Sequence, residues 1–338
     1  MPAETNGNVM SRASFAISLV LLYLVLCLSA ALSLRFGTAP VTLGALLNDT
    51  LGLLENRAFR TVCALCVGAA LAISGLMLQA LTGNPLADPG ITGINAGAAL
   101  AAIALAYFTP FNSGMAILLA ASVGAGLAGY TLWHLAGTDP VAGVGGIALR
   151  LPLAGLAIET LCLALASTLI LADAEMQARY LRWISGAIPA VARTEIAPLA
   201  VISVLLVAGY FTCERLELLS LGAEQSDSLG RNPNRTVALV LACVTMLSGA
   251  SVAIAGPLAF LGLLVPFVAR SLAAGSLRRA YLLALPLGGS SLVLADTIGR
   301  VIARPGEVHA GIIAALLGGP ALIMVLRRVL RPTRGRAE

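Results

Sequence analysis

The sequence contains no lysine and few charged residues of any kind. All 21 basic residues are arginine, and charged residues make up 11% of the 338 positions, whereas soluble domains carry roughly 25%. Without lysine the chain has no amine for a Schiff base and cannot complete the phosphate-binding motif G-x-x-x-x-G-K-[ST]. We therefore expect no ATP site in this chain.

Residues with reactive side chains are also scarce. The two histidines, His134 and His309, stand near predicted helix ends with no cluster of metal-ligand residues beside them, so we predict no metal site. Cys63 and Cys66 spell C-x-x-C inside an apolar run, which favours helix packing over redox chemistry. No G-x-S-x-G or H-E-x-x-H occurs, and we therefore predict no enzymatic activity.

Apolar residues make up 59% of the chain, and the mean hydropathy is +0.94. At about 20 apolar residues per crossing, the sequence predicts an all-α integral membrane protein with about ten transmembrane helices in a single domain, 1–338. The first run is long enough to be a retained helix rather than a cleaved signal peptide. The run at 258–272 is short and contains Pro266, which predicts a broken or tilted helix sheltered by protein. The predicted spans are 15–34, 58–81, 94–108, 115–135, 149–171, 196–213, 236–255, 258–272, 280–302 and 310–329.

The arginines predict the orientation. With both termini in the cytoplasm, 13 arginines lie inside and eight outside, the sign that the positive-inside rule requires. This scatter between apolar runs indicates membrane topology rather than a nucleic-acid partner. Eight is nevertheless many for short outer loops, and so the outer arginines call for a function. They are Arg35, Arg57, Arg60, Arg179, Arg182, Arg193, Arg300 and Arg304.

Three of the outer arginines are candidates for binding a partner protein. Arg57 and Arg60 share one face of the second predicted helix, and Arg300 ends the ninth at the same side. A guanidinium group binds a carboxylate through two parallel hydrogen bonds, so the three could receive acidic residues of a docking protein. The alternative is contact with lipid headgroups.

Asp296 lies four residues before Arg300 and can pair with it on one helix face. An ionisable residue at membrane depth is a functional candidate, whereas an internal salt bridge that seats the helix is the alternative. A proton relay would need further carboxylates, and the spans offer little beyond Glu159 and Asp173.

Two polar connections also stand out. The loop GNPLADPG at 83–90 combines two prolines and two glycines with the turn-forming Asn84 and Asp88, which predicts a rigid reversal. The longest polar stretch follows the sixth span, and its halves around Gly222 and Gly230 predict short helices lying along the cytoplasmic surface.

Four sequence blocks together resemble the FecCD family of permeases from bacterial ATP-driven importers. They are VGAALAISGLMLQALTGNPLADPGITGINAGAAL, SLGAEQSDSLGRN, VAIAGPLAFLGLLVPFVAR and LADTIGRVIARPGEVHAGIIAALLGGP. The resemblance covers nearly the whole chain, and it implies the type II ABC importer permease fold in the bacterial inner membrane. It implies as partners a second permease subunit, two cytoplasmic ATPase subunits that bind ATP and magnesium, and an extracytoplasmic substrate-binding protein.

The resemblance also implies roles for individual residues. Arg57, Arg60 and Arg300 would contact acidic residues of the binding protein, and the segment 215–234 would contact the ATPase. The coupling residues would be Ser220, Leu221, Gly222, Ser228, Leu229, Gly230, Arg231 and Asn232. Structural or gating motifs would comprise Asn84, Pro85, Asp88, Pro89, Gly90, Gly256, Pro257, Pro266 and Asp296.

The expected cargo is a ferric siderophore, because IGRVIARPGE resembles the siderophore branch more than the cobalamin branch; haem and cobalamin are the alternatives. A different class, an ion-gradient-driven secondary transporter, would transport without ATPase partners. Two departures from the family pattern stand out: the usual R-L-P-R reads Arg57-Ala58-Phe59-Arg60, and Phe267 replaces a usual histidine. Whether the second permease is identical or merely related stays open.

Overall fold

A computed structural model describes residues 12–37, 53–90, 92–109, 113–136, 143–172, 183–188, 196–220 and 233–329, together with positions 177 and 181. Within this described part, ten α-helices have defined bounds. They are α1 Arg12–Arg35, α2 Leu53–Thr82, α3 Ile94–Phe108, α4 Gly114–Ala136, α5 Gly143–Leu171, α6 Ile196–Ser220, α7 Pro233–Ala255, α8 Leu261–Leu272, α9 Leu277–Ile302 and α10 Ala310–Val329.

The all-α architecture predicted from the apolar runs is confirmed. Each predicted span overlaps one observed helix, and several helices extend beyond the predicted bounds; α5, for instance, begins six residues before its predicted start. The second helix begins at Leu53, five residues before the predicted start, and the sixth continues to Ser220. The extensions of α2 and α6 carry charged side chains beyond the apolar run, where a hydropathy argument ends the span.

Seven helices are long and apolar enough to cross a membrane, namely α1, α2, α4, α5, α6, α7 and α9. The apolar stretches of α3, α8 and α10 are shorter. The 15 residues of α3 and the 12 of α8 give lengths of about 22 and 18 Å, less than the roughly 30 Å of a hydrocarbon core. The chain is thus a multi-pass membrane protein in which part of the bundle is built from short helices.

Helix α2 forms the centre of the bundle. It packs against α9, α7, α8 and α6, and 83% of its most apolar window is buried within the protein, against 6% for α1. A Cβ atom added at Gly68 would lie 2.3 Å from the carbonyl oxygen of Gly288 in α9. The two backbones therefore touch directly, the packing that small residues permit between membrane helices.

The remaining helices surround this centre in two groups. Helices α3, α4 and α5 pack on one another and reach the centre through contacts of α3 and α4 with α7. Helix α1 packs mainly on α9, and α10 packs on α9 and α8. The start of α2 and the ends of α1 and α9 consequently meet at one end of the bundle.

The short helix α8 begins inside the protein. Gly256 has φ 71° and Pro257 follows it, so the helical hydrogen bonding of α7 stops there. The next helix starts after Phe260, whose φ is 70°. Its second residue, Gly262, packs on Gly75 so closely that a Cβ on Gly75 would lie 1.7 Å from the Gly262 oxygen. The predicted short, sheltered span is therefore present, and its first turn is covered by α2. However, α8 runs unbroken through Pro266, and the break lies before it, at 256–260.

Candidate functional site

Five charged side chains converge where α1, α2 and α9 meet. They come from the first two turns of α2, the end of α9 and the connection 303–309 between α9 and α10. We call them the arginine cluster, which comprises Arg57, Arg60, Asp296, Arg300 and Glu307.

Asp296 is the centre of the cluster. The Nη2 atom of Arg60 lies 2.7 Å from Asp296 Oδ1, and Arg60 Nε lies 3.1 Å from the same oxygen. From the other side, Arg300 Nε lies 2.9 Å from Asp296 Oδ2, which is the predicted pairing four residues apart on one helix. The carboxylate side chain is 1% exposed. One buried carboxylate thus holds two guanidinium groups, one from its own helix and one from α2.

The last turn of α1 supplies the remaining acceptors. Arg300 Nη1 donates to the carbonyl oxygens of Ser33 and Phe36 at 3.3 and 3.0 Å. Arg57 Nη1 donates to those of Leu34 and Arg35 at 3.1 and 3.0 Å. The last four carbonyl groups of a helix have no partner within the helix, and they carry its negative dipole end. Two arginines therefore cap α1.

Two hydroxyl groups complete the junction between α1 and α2. The Oγ atom of Ser33 lies 2.7 Å from Thr61 Oγ1, and it also accepts a hydrogen bond of 2.7 Å from Arg300 Nη2. Thr61 in turn donates to the carbonyl oxygen of Arg57 at 2.7 Å. Ser33 and Thr61 are buried, so these polar groups are satisfied by one another rather than by solvent.

The three predicted docking residues are buried rather than exposed. Arg57, Arg60 and Arg300 are 9%, 6% and 3% exposed. The structure brings all three together at one end, as expected, but it places them in protein contacts rather than on an open rim or toward lipid. Breaking a buried pair by removing one partner costs about 3–5 kcal/mol. The cluster therefore joins three helices, and its role in docking stays a prediction.

Sequence reasoning missed Glu307. Its Oε2 atom lies 2.9 Å from Arg60 Nη1, and its side chain is 34% exposed. Arg304, from the same connection, donates through Nε to the carbonyl oxygen of Gly37 at 3.0 Å. The sequence does distinguish Glu307, because it is the single carboxylate between the predicted ninth and tenth spans and follows Arg300 and Arg304 closely.

The loop at 83–90 turns by side-chain hydrogen bonds of its own. The amide of Leu86 donates to Asn84 Oδ1 at 2.9 Å, and that of Gly90 donates to Asp88 Oδ2 at 3.1 Å. Both are turns of the type that Asn and Asp favour. Pro85 and Pro89 follow these two residues directly and fix the backbone. The reversal thus returns the chain from α2 to α3 within a few residues.

Asp88 is buried where this loop meets α8. A Cβ on Gly262 would lie 2.2 Å from Asp88 Oδ1, so the carboxylate packs on the first turn of α8. Burial raises the pKa of Asp88 to about 7; the Gly90 amide opposes this shift, and the charge of Glu159 adds to it. Gln79 of α2 donates to the Leu263 carbonyl oxygen at 3.2 Å in the same region. The loop, α2 and α8 are thereby joined.

The other predicted residues are placed as follows. Gly256 and Pro257 form the break between α7 and α8, and Pro266 lies buried inside α8. Ser220 ends α6. The rest of the predicted coupling set, Leu221, Gly222, Ser228, Leu229, Gly230, Arg231 and Asn232, lies outside the described residues.

Comparison with known protein families identifies the family of this chain. The profile of the FecCD transport family matches residues 14–328, a range that contains every helix centre and the whole arginine cluster. This chain belongs to the FecCD transport family.

Two relatives align with this FecCD chain over nearly their whole length. It is 33% identical to the ferric enterobactin transport system permease protein FepD of Escherichia coli (strain K12), covering 95% of this chain and 97% of the relative. It is 35% identical to the hemin transport system permease protein HmuU of Yersinia pestis, covering 96% and 98%. A solved structure described as an inward-facing conformation of a transporter assigned to the metal-chelate ABC type superposes with a TM-score of 0.80 at 24% identity, covering 94% and 100%. That likeness shows the fold.

The two departures from the FecCD pattern can be located in the structure. Ala58 and Phe59 replace Leu-Pro between the two arginines, and α2 runs through them from Leu53 without interruption. Both guanidinium groups still reach the cluster. Phe267 replaces the usual histidine in α8 and is half-buried, so no histidine chemistry is available at that position.

Proposed function

We propose that this chain is the permease subunit of an ATP-driven importer that receives its cargo from a substrate-binding protein at the end carrying the arginine cluster. The observation that carries the proposal is the convergence of Arg57, Arg60 and Arg300 from two helices onto that end in a member of the FecCD transport family. An acidic partner surface is the chemistry that guanidinium groups recognise best. In this proposal that end faces the outside, and both chain termini lie in the cytoplasm.

The proposed cargo is a ferric siderophore. Support comes from relatives such as the ferric enterobactin permease, and from the segment Ile298–Glu307, which carries the siderophore-like sequence. Haem is the principal alternative, because the hemin permease is similar to the same extent, and cobalamin is a further one.

ATP and magnesium bind to partner ATPase subunits in this proposal, and their motion enters at the segment 215–234. That segment joins α6 to α7, and both helices pack on α2. In addition, Arg278 Nη2 lies 2.5 Å from Glu214 Oε2, and the Leu277 amide donates to Glu217 Oε1 at 3.3 Å. These contacts connect the end of α6 with the start of α9. A movement at the coupling segment therefore reaches α2 and α9, the two helices whose opposite ends hold the arginine cluster.

The bundle also contains elements suited to a change of conformation. The break at Gly256 and Pro257 separates α7 from α8, and the loop around Asp88 contacts α8 directly. Discontinuous helices recur in membrane transporters, where they line the transport pathway near the bilayer midplane. We propose that α8 shifts against α2 when the pathway changes sides, and that a second permease, identical or related, completes the pathway.

The test is uptake of iron-labelled ferric enterobactin and of hemin into proteoliposomes that contain this chain with its partner permease, ATPase subunits and loaded binding protein. We expect uptake that requires ATP and that stops when the ATPase carries a hydrolysis-blocking substitution. A protonophore is the matched control and should leave uptake unchanged. Uptake by this chain alone, driven by a proton or sodium gradient, would show a secondary transporter instead. Uptake of hemin but not of the siderophore complex would change the cargo and leave the class intact.

A further inference from the structure

The guanidinium group of Arg60 has two occupied edges that differ in accessibility. One edge, formed by Nε and Nη2, binds Asp296 at 3.1 and 2.7 Å. The other edge presents Nη1, which binds Glu307 Oε2 at 2.9 Å. The two carboxylates therefore divide the donors of one arginine between them.

Exposure distinguishes the two carboxylates. The side chain of Asp296 is 1% exposed, and that of Glu307 is 34% exposed. A group arriving from solvent cannot reach the Nε–Nη2 edge of Arg60, because the buried Asp296 occupies it. It can reach Nη1, which the partly exposed Glu307 covers. Glu307 therefore occupies the position that an external carboxylate would need in order to pair with Arg60.

We propose that Glu307 is an internal substitute for the binding protein: it occupies the outer edge of Arg60 in the undocked permease, and a carboxylate of the docking protein displaces it. This inference rests on the docking role proposed above for the arginine cluster, and it specifies how that site is regulated. Since one carboxylate replaces another on the same guanidinium, the exchange gains little free energy. The binding protein can accordingly leave again after delivering its cargo.

Displacement also has a structural route into the bundle. Glu307 lies in the connection 303–309, where the next amide, that of Val308, donates to the Gly299 carbonyl oxygen at 3.1 Å. The following residue, His309, contacts Ser185 Oγ through Nδ1. Releasing Glu307 removes the ion pair between this connection and α2 and leaves the contacts to α9 and to segment 183–188. Docking would thus release the connection before α10 from α2, while that connection stays attached to α9 and to segment 183–188.

Removal of the internal carboxylate should strengthen docking. In Glu307→Gln the carboxylate of the binding protein no longer competes with a charged side chain for Arg60. Losing the competition of a partly exposed ion pair should tighten the binding of that protein to the permease about fivefold. The matched control is Glu55→Gln, since Glu55 is an exposed carboxylate in the first turn of α2 at the same end of the bundle. It removes the same charge without touching Arg60.

The experiment measures the dissociation constant of the cognate substrate-binding protein for the permease and ATPase complex in lipid nanodiscs. We expect Glu307→Gln to bind about fivefold tighter, chiefly through slower dissociation, and Glu55→Gln to stay within about twofold of wild type. Equal tightening by both variants would reflect general surface charge and would overturn the displacement. Unchanged affinity of Glu307→Gln would overturn it as well.

A second pair of variants separates this inference from the docking proposal. Arg60→Gln removes the arginine while Asp296 keeps its pair with Arg300 at 2.9 Å, so no buried carboxylate is left uncompensated, and docking should weaken. Adding Glu307→Gln to this background should then change nothing, because the contested guanidinium is absent. If the background variant docks as wild type does, the docking role of Arg60 is wrong. If it weakens docking while Glu307→Gln alone has no effect, docking stands and displacement is wrong.

Discussion

Replacing Asp296 by asparagine tests whether the arginine cluster holds the bundle together. The variant keeps the size of the side chain but removes the one carboxylate that both Arg60 and Arg300 contact, at 2.7 and 2.9 Å. Two guanidinium groups that are 7% and 4% exposed would then face each other with a single partly exposed carboxylate nearby. Removing one member of a buried pair costs about 3–5 kcal/mol. Because asparagine still accepts a hydrogen bond, we expect a loss near the lower bound, about 3 kcal/mol.

The assay is the free energy of unfolding in mixed micelles, followed by circular dichroism during a denaturing-detergent titration. The control is Glu214→Gln, which breaks the 2.5 Å pair with Arg278 at the opposite end, where the two side chains are 53% and 45% exposed. An exposed pair contributes less than about 1 kcal/mol. Equal losses in the two variants, within about 0.5 kcal/mol, would refute the reasoning that burial rather than contact distance sets the strength of these pairs.

Three further predictions concern packing, pH and docking. Gly75→Ala should lower the free energy of unfolding by more than about 2 kcal/mol in the same assay, because the added Cβ would lie 1.7 Å from a backbone oxygen. The control Gly126→Ala meets nothing within 4 Å and should be neutral or slightly stabilising. Similar free energies of unfolding for the two variants would show that α2 and α8 do not need this close contact. Burial raises the pKa of Asp88 from 3.8 to about 7. The contribution of Asp88 to the free energy of unfolding is therefore fully present below about pH 4 and is lost as the pH rises to about 7. Asp88→Asn should abolish this loss, and a variant with the pH profile of the wild type would contradict the assignment. Arg57→Glu with Arg60→Glu should weaken capture of the binding protein and transport, and normal capture at physiological salt would exclude both residues from docking.

The helices were predictable because each apolar run carries its own evidence. About 20 apolar residues are needed to cross the hydrocarbon core whatever the neighbouring helices are, so the predicted and observed bounds of α5 and α9 end at the same residues, Leu171 and Ile302. The interruption before α8 is also local, since it depends on Gly256 and Pro257, whereas Pro266 lies inside the helix. What local sequence cannot predict is that α8 starts against Gly75, because that contact depends on how distant segments pack.

The arginine cluster shows the same division. The pairing of Asp296 with Arg300 follows from their spacing on one helix, and it was predicted. The pairing of Asp296 with Arg60 joins residues 236 positions apart, and no periodicity relates them. Burial was missed for a related reason. Arginines at the ends of helices are read as exposed, whereas the carbonyl groups at the end of α1 provide acceptors that the sequence does not locate. Glu307 was missed because it belongs to no helix and its partner Arg60 is 247 positions away.

The separation between Arg60 and Asp296 also bears on how the protein is made. A ribosome adds about 5–20 residues per second, so roughly 12 to 47 s pass between synthesis of the arginine and synthesis of its carboxylate. During that interval the guanidinium group of α2 has no buried counter-ion and must stay hydrated at the membrane surface, which keeps the central helix from settling fully among its neighbours. A nascent chain that stops before α9 therefore retains an exposed positive charge on its most buried helix. Synthesis of the ninth helix supplies Asp296, and only then can the Arg60 side chain become buried with a counter-ion.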